Sequence, residues 1–257
     1  MGVVNITPDS FSDGGKFLDP DAAVSQATRL VEEGAAIVDI GAESTRPGAR
    51  PVSEAEELTR LLAVLEKIRH LPVPVSVDTR RAAVMRKVLA EGASMINDVE
   101  ALAAPGALDA VAGTGCGLCL MHKKGDPATM QADPRYDDVV KEVTEFLAGR
   151  IAAAQAAGIA LERITIDPGF GFGKTVAHNL SLLRSLRSLG ALGVPVLAGL
   201  SRKSTLGRLT GRSSGDRMVA SVTAALLAAQ RGATILRVHD VGATRDALAV
   251  WRAVEEQ

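Results

Sequence analysis

The chain has 257 residues, with 29 Lys and Arg against 30 Asp and Glu, a formal net charge of −1. That balance excludes a general electrostatic affinity for nucleic acid or an anionic membrane surface, and no apolar run approaches the roughly 20 residues of a membrane span. At 47% hydrophobic with only 3% aromatic residues, it can build a sizeable core, which must rest on Val, Leu, Ile and Ala.

Read in chain order, short apolar strands alternate with longer amphipathic stretches, the pattern of repeated βα units. Strands are expected over 2–6, 36–40, 73–77, 95–96, 117–121, 164–166, 194–198 and 235–238. Helices are expected after each, over 21–33, 53–69, 81–90, 105–112, 137–157, 177–189, 216–231 and 244–255. Several end at glycine (Gly34, Gly92, Gly158, Gly232), where a left-handed cap is expected. No linker or low-complexity stretch divides the chain, so the expectation is α/β, a single (β/α)8 TIM barrel spanning 1–257. An open doubly wound sheet is the alternative, though nothing marks a reversal of strand order. Because the first strand begins at Gly2, no element read from the sequence covers the barrel's base, and a trimmed or late start that lacks an N-terminal extension is one expectation.

No basic, apolar and small-residue leader opens the chain, so the expected compartment is the cytoplasm. Cys116 and Cys119 have the C-x-x-C spacing of a redox pair. They lie in an apolar run that reads as a strand, where residues three apart face opposite sides, and small buried side chains are expected instead.

Polar residues recur at or just beyond the strand ends: Asn5, Asp39, Asp78, Asn97, His122, Asp167, Arg202 with Lys203, and Arg237 with His239. A barrel brings all eight strand ends to one rim, so these residues should converge on one site. Asp78, Asn97 and Asp167 suit the donor-rich edge of a flat heterocycle. Arg46, Lys174, Arg202, Lys203, Arg237 and His239 form a local anion site in a neutral protein, although Lys174 reads equally as a solvated loop charge. Asn5 and Asp39 are oxygen ligands of the kind magnesium accepts while keeping several waters. The run 168–175, PGFGFGKT, imitates a P-loop, but proline stands at its first position and has no N–H for a phosphate. No H-x-H or H-E-x-x-H metal motif occurs, and His70 and His178 read as helix-surface residues.

Seven segments in order closely resemble the signatures of dihydropteroate synthases: 5–15 NITPDSFSDGG, 41–48 GAESTRPG, 76–79 SVDT, 96–98 IND, 167–174 DPGFGFGK, 201–204 SRKS and 237–240 RVHD. The resemblance spans the chain and implies condensation of a pterin pyrophosphate with p-aminobenzoate, with Mg2+. By the same resemblance Asp78, Asn97, Asp167 and Lys203 hold the pterin, while Phe172 and Met121 line its pocket. Asn5 binds magnesium and pyrophosphate, with Arg237 and His239 on the same anion, and Asp78, Lys203, Arg237 and His239 form the catalytic set. Ser204, at a helix start, takes the p-aminobenzoate carboxylate, and Phe11, Thr45, Arg46 and Pro47 belong to loops that close over the second substrate. Pterin-binding methyltransferases should lack the 201–204 segment and Phe11, and a catalytically dead scaffold barrel would not need the full set.

The 216–231 helix carries no charge from Met218 to Ala229. A helix apolar on all sides is usually buried on all sides, so a two-fold homodimer through it is expected. Ala224 and Leu227 are expected on its outer face.

Overall fold

The computed structural model describes residues 1–6, 20–43, 52–126 and 129–255. Among these it holds eight strands: β1 (Gly2–Asn5), β2 (Val38–Gly41), β3 (Val75–Asp78), β4 (Met95–Asp98), β5 (Gly117–Met121), β6 (Ile164–Asp167), β7 (Leu197–Ala198) and β8 (Ile235–Leu236). The helices are α1 (Pro20–Glu32), α2 (Glu54–Ile68), α3 (Ala82–Ala90), α4 (Ala107–Ala112), α5 (Val139–Ala156), α6 (Val176–Arg184), α7 (Leu186–Leu189), α8 (Ser204–Thr210), α9 (Met218–Gln230) and α10 (Val241–Glu255).

Strands β1 to β6 pair in sequence order and in parallel, and β7 pairs with β8. Single parallel bridges, Ile166 with Val196 and Gly2 with Val238, join the two groups at both edges. The Val3 amide donates to the Val238 carbonyl at 3.0 Å, and the Ile166 amide donates to Pro195 at 3.0 Å. The sheet is therefore closed, and the expected barrel is present. Sequence-read strand ends differ most at β7. Pro195 has no N–H for the ladder, which leaves only Leu197 and Ala198 regularly paired.

Strand alternation explains the two cores. Val4, Ile40, Val77, Ile96, Leu120 and Ile166 point outward and join the helices in one large cluster. The intervening Met95, Cys119 and Leu197 point inward and form a second cluster, with Met1 and Ile235 packed against it. Cys116 sits in the outer cluster and Cys119 in the inner one; both are free, as their spacing on a strand requires.

The helices form where an apolar stripe meets a cap. In α2, Leu61, Val64, Leu65 and Ile68 follow the i, i+3, i+4, i+7 spacing and are fully or almost fully buried, each side chain stabilising the fold by about 2 kcal/mol. Ser53 starts it by accepting the Glu56 amide at 3.2 Å. A charge at Leu65 would break that face. The expected 177–189 helix is two pieces, α6 and α7, interrupted at Ser185.

The orientation of α9 corrects the expectation for that helix. Ser221, Ala224, Ala225 and Ala228 face the barrel and are buried, and Leu227 packs partly against the same core. Its water-facing residues are Met218, Val219, Thr223 and Gln230, because the small side chains are what lets α9 lie close to the sheet.

Candidate active site

The C-terminal strand ends gather the expected polar residues at one mouth. Register places Gly41 beside Asp78, Asp78 beside Asn97, and Met121 beside Asp167 on neighbouring strands. Gly199 follows β7; a Cβ there would lie 3.8 Å from the Arg237 Cβ and 3.9 Å from Asp167 Oδ2, so its lack of a side chain keeps the space between them open.

Arg237 holds the centre. Its Nε donates to Asp39 Oδ2 at 2.6 Å, and its Nη2 reaches Asp39 at 2.6 Å and Asp78 at 3.1 Å. The Asn97 amide adds a bond to Asp39 Oδ2 at 3.3 Å. Asp39 thus does not stand at the rim as a magnesium ligand. It is fully buried one level deeper, the second residue of β2, and serves to orient Arg237. Burial pushes the Asp78 carboxyl up to about 7 against the pull of Arg237, while the two carboxylates raise the Arg237 guanidinium further.

On the opposite side Asp167 is buried, its Oδ1 accepting the Gly169 amide at 2.7 Å; burial raises its pKa although Lys203 opposes the shift. Lys203 donates to the Phe170 carbonyl and its ammonium lies 4.5 Å from the centre of the Phe172 ring. Burial lowers that ammonium to about 8. His239 is set by Ser201, whose hydroxyl accepts the His239 amide at 3.2 Å and lies 3.0 Å from Nδ1. That contact favours the tautomer with hydrogen on Nε2.

Several residues of the sequence reading fall elsewhere. Arg202 is turned toward Asp240: its guanidinium pairs with that carboxylate, Nη2 at 2.6 Å and Nε at 3.3 Å. Lys174 is not a solvated loop charge but is buried at 3% exposure, with its ammonium 2.9 Å from His122 Nδ1. His70 is exposed as expected, whereas His178 is half-buried and closes a capping box on α6 with Thr175. Ser204 opens α8 and is exposed. Phe11, Thr45, Arg46 and Pro47 lie outside the described residues. The reading missed Asp39 as a partner of Arg237 and Ser201 as a partner of His239. Strand alternation could have turned Asp39 inward; its depth has no local signal.

Asn5, at the end of β1, is half-buried and its side chain makes no hydrogen bond among the described residues. Its amide oxygen is open to a hard cation that keeps most of its waters. Among the described residues no cluster of three His, Cys, Asp or Glu could hold a metal, so only a site completed by ligand oxygens fits.

The model of the family described as pterin binding enzyme matches residues 1–239. A dihydropteroate synthase of Haemophilus influenzae is 48% identical over 254 residues, 98% of this chain and 92% of the relative. The chain belongs to the dihydropteroate synthase family. The Xanthomonas albilineans dihydropteroate synthase solved with 4-aminobenzoic acid superposes with a TM-score of 0.93 at 57% identity, covering 99% of this chain and 92% of that one. Another structure of the Xanthomonas albilineans enzyme, in complex with 7,8-dihydropteroate, has a TM-score of 0.90 at 54% identity over 99% and 92% of the two chains. As a member of the dihydropteroate synthase family the chain is a transferase of folate biosynthesis, joining a pterin pyrophosphate to p-aminobenzoate. Among the described residues no helix is long and apolar enough to cross a membrane.

Proposed function

We propose that this barrel mouth condenses 6-hydroxymethyl-7,8-dihydropterin pyrophosphate with p-aminobenzoate by releasing pyrophosphate first and admitting the amine to a pterin cation. One observation carries the reading: the Asp78 and Asp167 carboxylates and the Asn97 amide gather at the strand ends with Lys203 and Arg237, while Asp39 lies beneath them paired to Arg237. The carboxylates and the Asn97 amide accept from and donate to the pterin edge, and Lys203 donates to its acceptors. Phe172 and Met121 give the ring apolar contact. The Asp78 and Asp167 carboxylates stabilise the positive charge that develops as the methylene–oxygen bond breaks.

Arg237 Nη1, without a partner among the described residues, and the Nε2–H of His239 receive the departing pyrophosphate. A magnesium ion bound by Asn5 would add charge to the same phosphate oxygens. Ser204 takes the p-aminobenzoate carboxylate, with Phe11, Thr45, Arg46 and Pro47 closing the second site. The amine then attacks the methylene carbon and gives up a proton, giving 7,8-dihydropteroate.

The proposed enzyme is cytoplasmic, and a homodimer through the α9 side suits the exposed apolar residues there. A coupled pyrophosphate assay tests the proposal. Pyrophosphate should appear only with both substrates and magnesium; release that ignores p-aminobenzoate would overturn the order of steps.

A further inference from the structure

The loop from β6 to α6 carries the pterin side of the site, yet it has no regular backbone pairing. Gly169, Gly171 and Gly173 take φ of +68°, +80° and +64°, so successive carbonyls turn in different directions. Each of five consecutive carbonyls meets a side-chain donor. Gly169 and Phe172 accept from Lys174 Nζ at 2.9 and 3.1 Å. Phe170 accepts from Lys203, Gly171 from Gln131, and Gly173 from the Tyr136 hydroxyl at 2.9 Å.

Lys174 stands out in this set. Its ammonium is buried, its hydrogen-bond partners among the described residues are all neutral, and Asp167 acts on it only through space. Its other contacts are both to His122, Nδ1 at 2.9 Å and, more weakly, the carbonyl oxygen at 3.5 Å. A buried ammonium with neutral partners is costly, so an ordinary loop would place a neutral donor or water here. His122 is itself braced, edge-on to Phe146 at 4.9 Å and tilted against Tyr136 at 6.2 Å. Burial and the neighbouring Lys174 charge lower it to about 3, which keeps Nδ1 available as an acceptor.

The two carbonyls that Lys174 ties bracket the functional part of the loop. Gly169, at one end, donates its amide to Asp167 Oδ1 and so fixes which way that carboxylate turns. Phe172, at the other, presents the ring beneath the Lys203 ammonium.

We propose that Lys174, held by His122, is the positioning residue of the pterin pocket: it fixes the 169–172 stretch so that the Asp167 carboxylate and the Phe172 ring stand at the spacing a pterin needs. This rests on the reading that the pterin lies between Asp167, Phe172 and Lys203. Lys174 is buried and its ammonium hydrogen-bonds none of the residues assigned above to p-aminobenzoate.

The test uses the whole chain and two readouts, steady-state kinetics and calorimetry with 6-hydroxymethylpterin. Lys174→Met keeps the aliphatic volume and removes the donor. His122→Leu removes the ring acceptor and leaves only the distant backbone carbonyl, and His122→Asn offers an oxygen near the place of Nδ1. Lys174→Met and His122→Leu should weaken pterin binding about 10- to 100-fold, with the KM for p-aminobenzoate and kcat changed by no more than a few-fold. His122→Asn should recover most of the loss, which a residue that merely fills space would not allow. Wild-type pterin affinity in folded Lys174→Met, equal losses in the two His122 variants, or parallel rises in both KM values would each overturn the proposal. Should Lys174→Met not fold, the His122 pair decides by the same criteria. Asp167→Asn in the same assay separates the two readings. If it leaves pterin affinity unchanged, the pterin site is misplaced; if it alone weakens binding, only the role of Lys174 fails.

Discussion

Asp78 and Lys203 face the same opening with ionisations displaced toward each other. Burial pushes the Asp78 carboxyl up to about 7 and the Lys203 ammonium down to about 8. If the reaction needs Asp78 ionised and Lys203 protonated, kcat/KM rises as pH climbs through 7 and falls as it passes 8. Asp78→Asn should flatten the acid limb, and Lys203→Arg should move the alkaline limb beyond the measurable range. A pH–rate profile of the three proteins checks both; an unchanged acid limb in Asp78→Asn assigns that ionisation elsewhere. The same Asp78 shift acts on stability with a definite sign. The folded state holds its proton more tightly than the unfolded chain does, so this group's contribution declines as pH rises from about 4 to 7.

At this scale the sequence named residue types better than partners. Asp78, Asn97, Asp167, Lys203, Arg237 and His239 were legible because barrel topology alone brings strand ends together. The Arg237–Asp39 pair joins residues 198 apart in sequence, and whether Asp39 lies at the rim or a level below it depends on stagger that no local pattern records. Lys174 was hidden for another reason. Its acceptors are backbone carbonyls, and their directions follow from glycine dihedrals rather than from side-chain identity.

At the scale of elements, alternation in the strands and the 3.6-residue stripe of the helices carried most of the reading, with ends displaced by one to a few residues. The departures have local causes. α8 has seven residues, too few for a stripe to show, and β7 is shortened by Pro195. The glycine caps were legible, and the structure separates those that need only the backbone from those that also need space. At Gly158, φ is +83° and a Cβ would meet nothing within 4 Å. At Gly169, φ is +68° and a Cβ would fall 1.8 Å from the His122 carbonyl oxygen. Gly158→Ala should therefore cost only the left-handed strain, about 1–2 kcal/mol, or a melting point lower by about 2–8 °C. Gly169→Ala must also move β5 or the loop, and should lower the melting point further while abolishing pterin binding. Thermal melts and calorimetry on both variants read the difference, and equal melting points would mean the loop yields freely.

For the whole molecule, the exposed large hydrophobic residues are unevenly placed. Among the described residues they are Leu209, Met218, Val219, Val250 and Val254, between 47% and 73% exposed. All lie on α8, α9 or α10, and α9 packs beside α10; the α1 to α5 side contributes none. Exposed apolar residues confined to the α8 to α10 side of the barrel suit a self-complementary two-fold contact on the helical wall. The orientation of α9 decides which substitution tests this. Ala224 is buried at 4% exposure against the core, so Ala224→Glu places a charge in the barrel wall and should prevent folding rather than dissociate subunits. Val219 is 73% exposed, so a charge there leaves the monomer intact but buries in a dimer. Light scattering at micromolar concentration should find a dimer for the wild type and a monomer for Val219→Glu, with circular dichroism of the folded barrel in both. A wild-type monomer, or a Val219→Glu dimer of unchanged strength, would remove α9 from the interface.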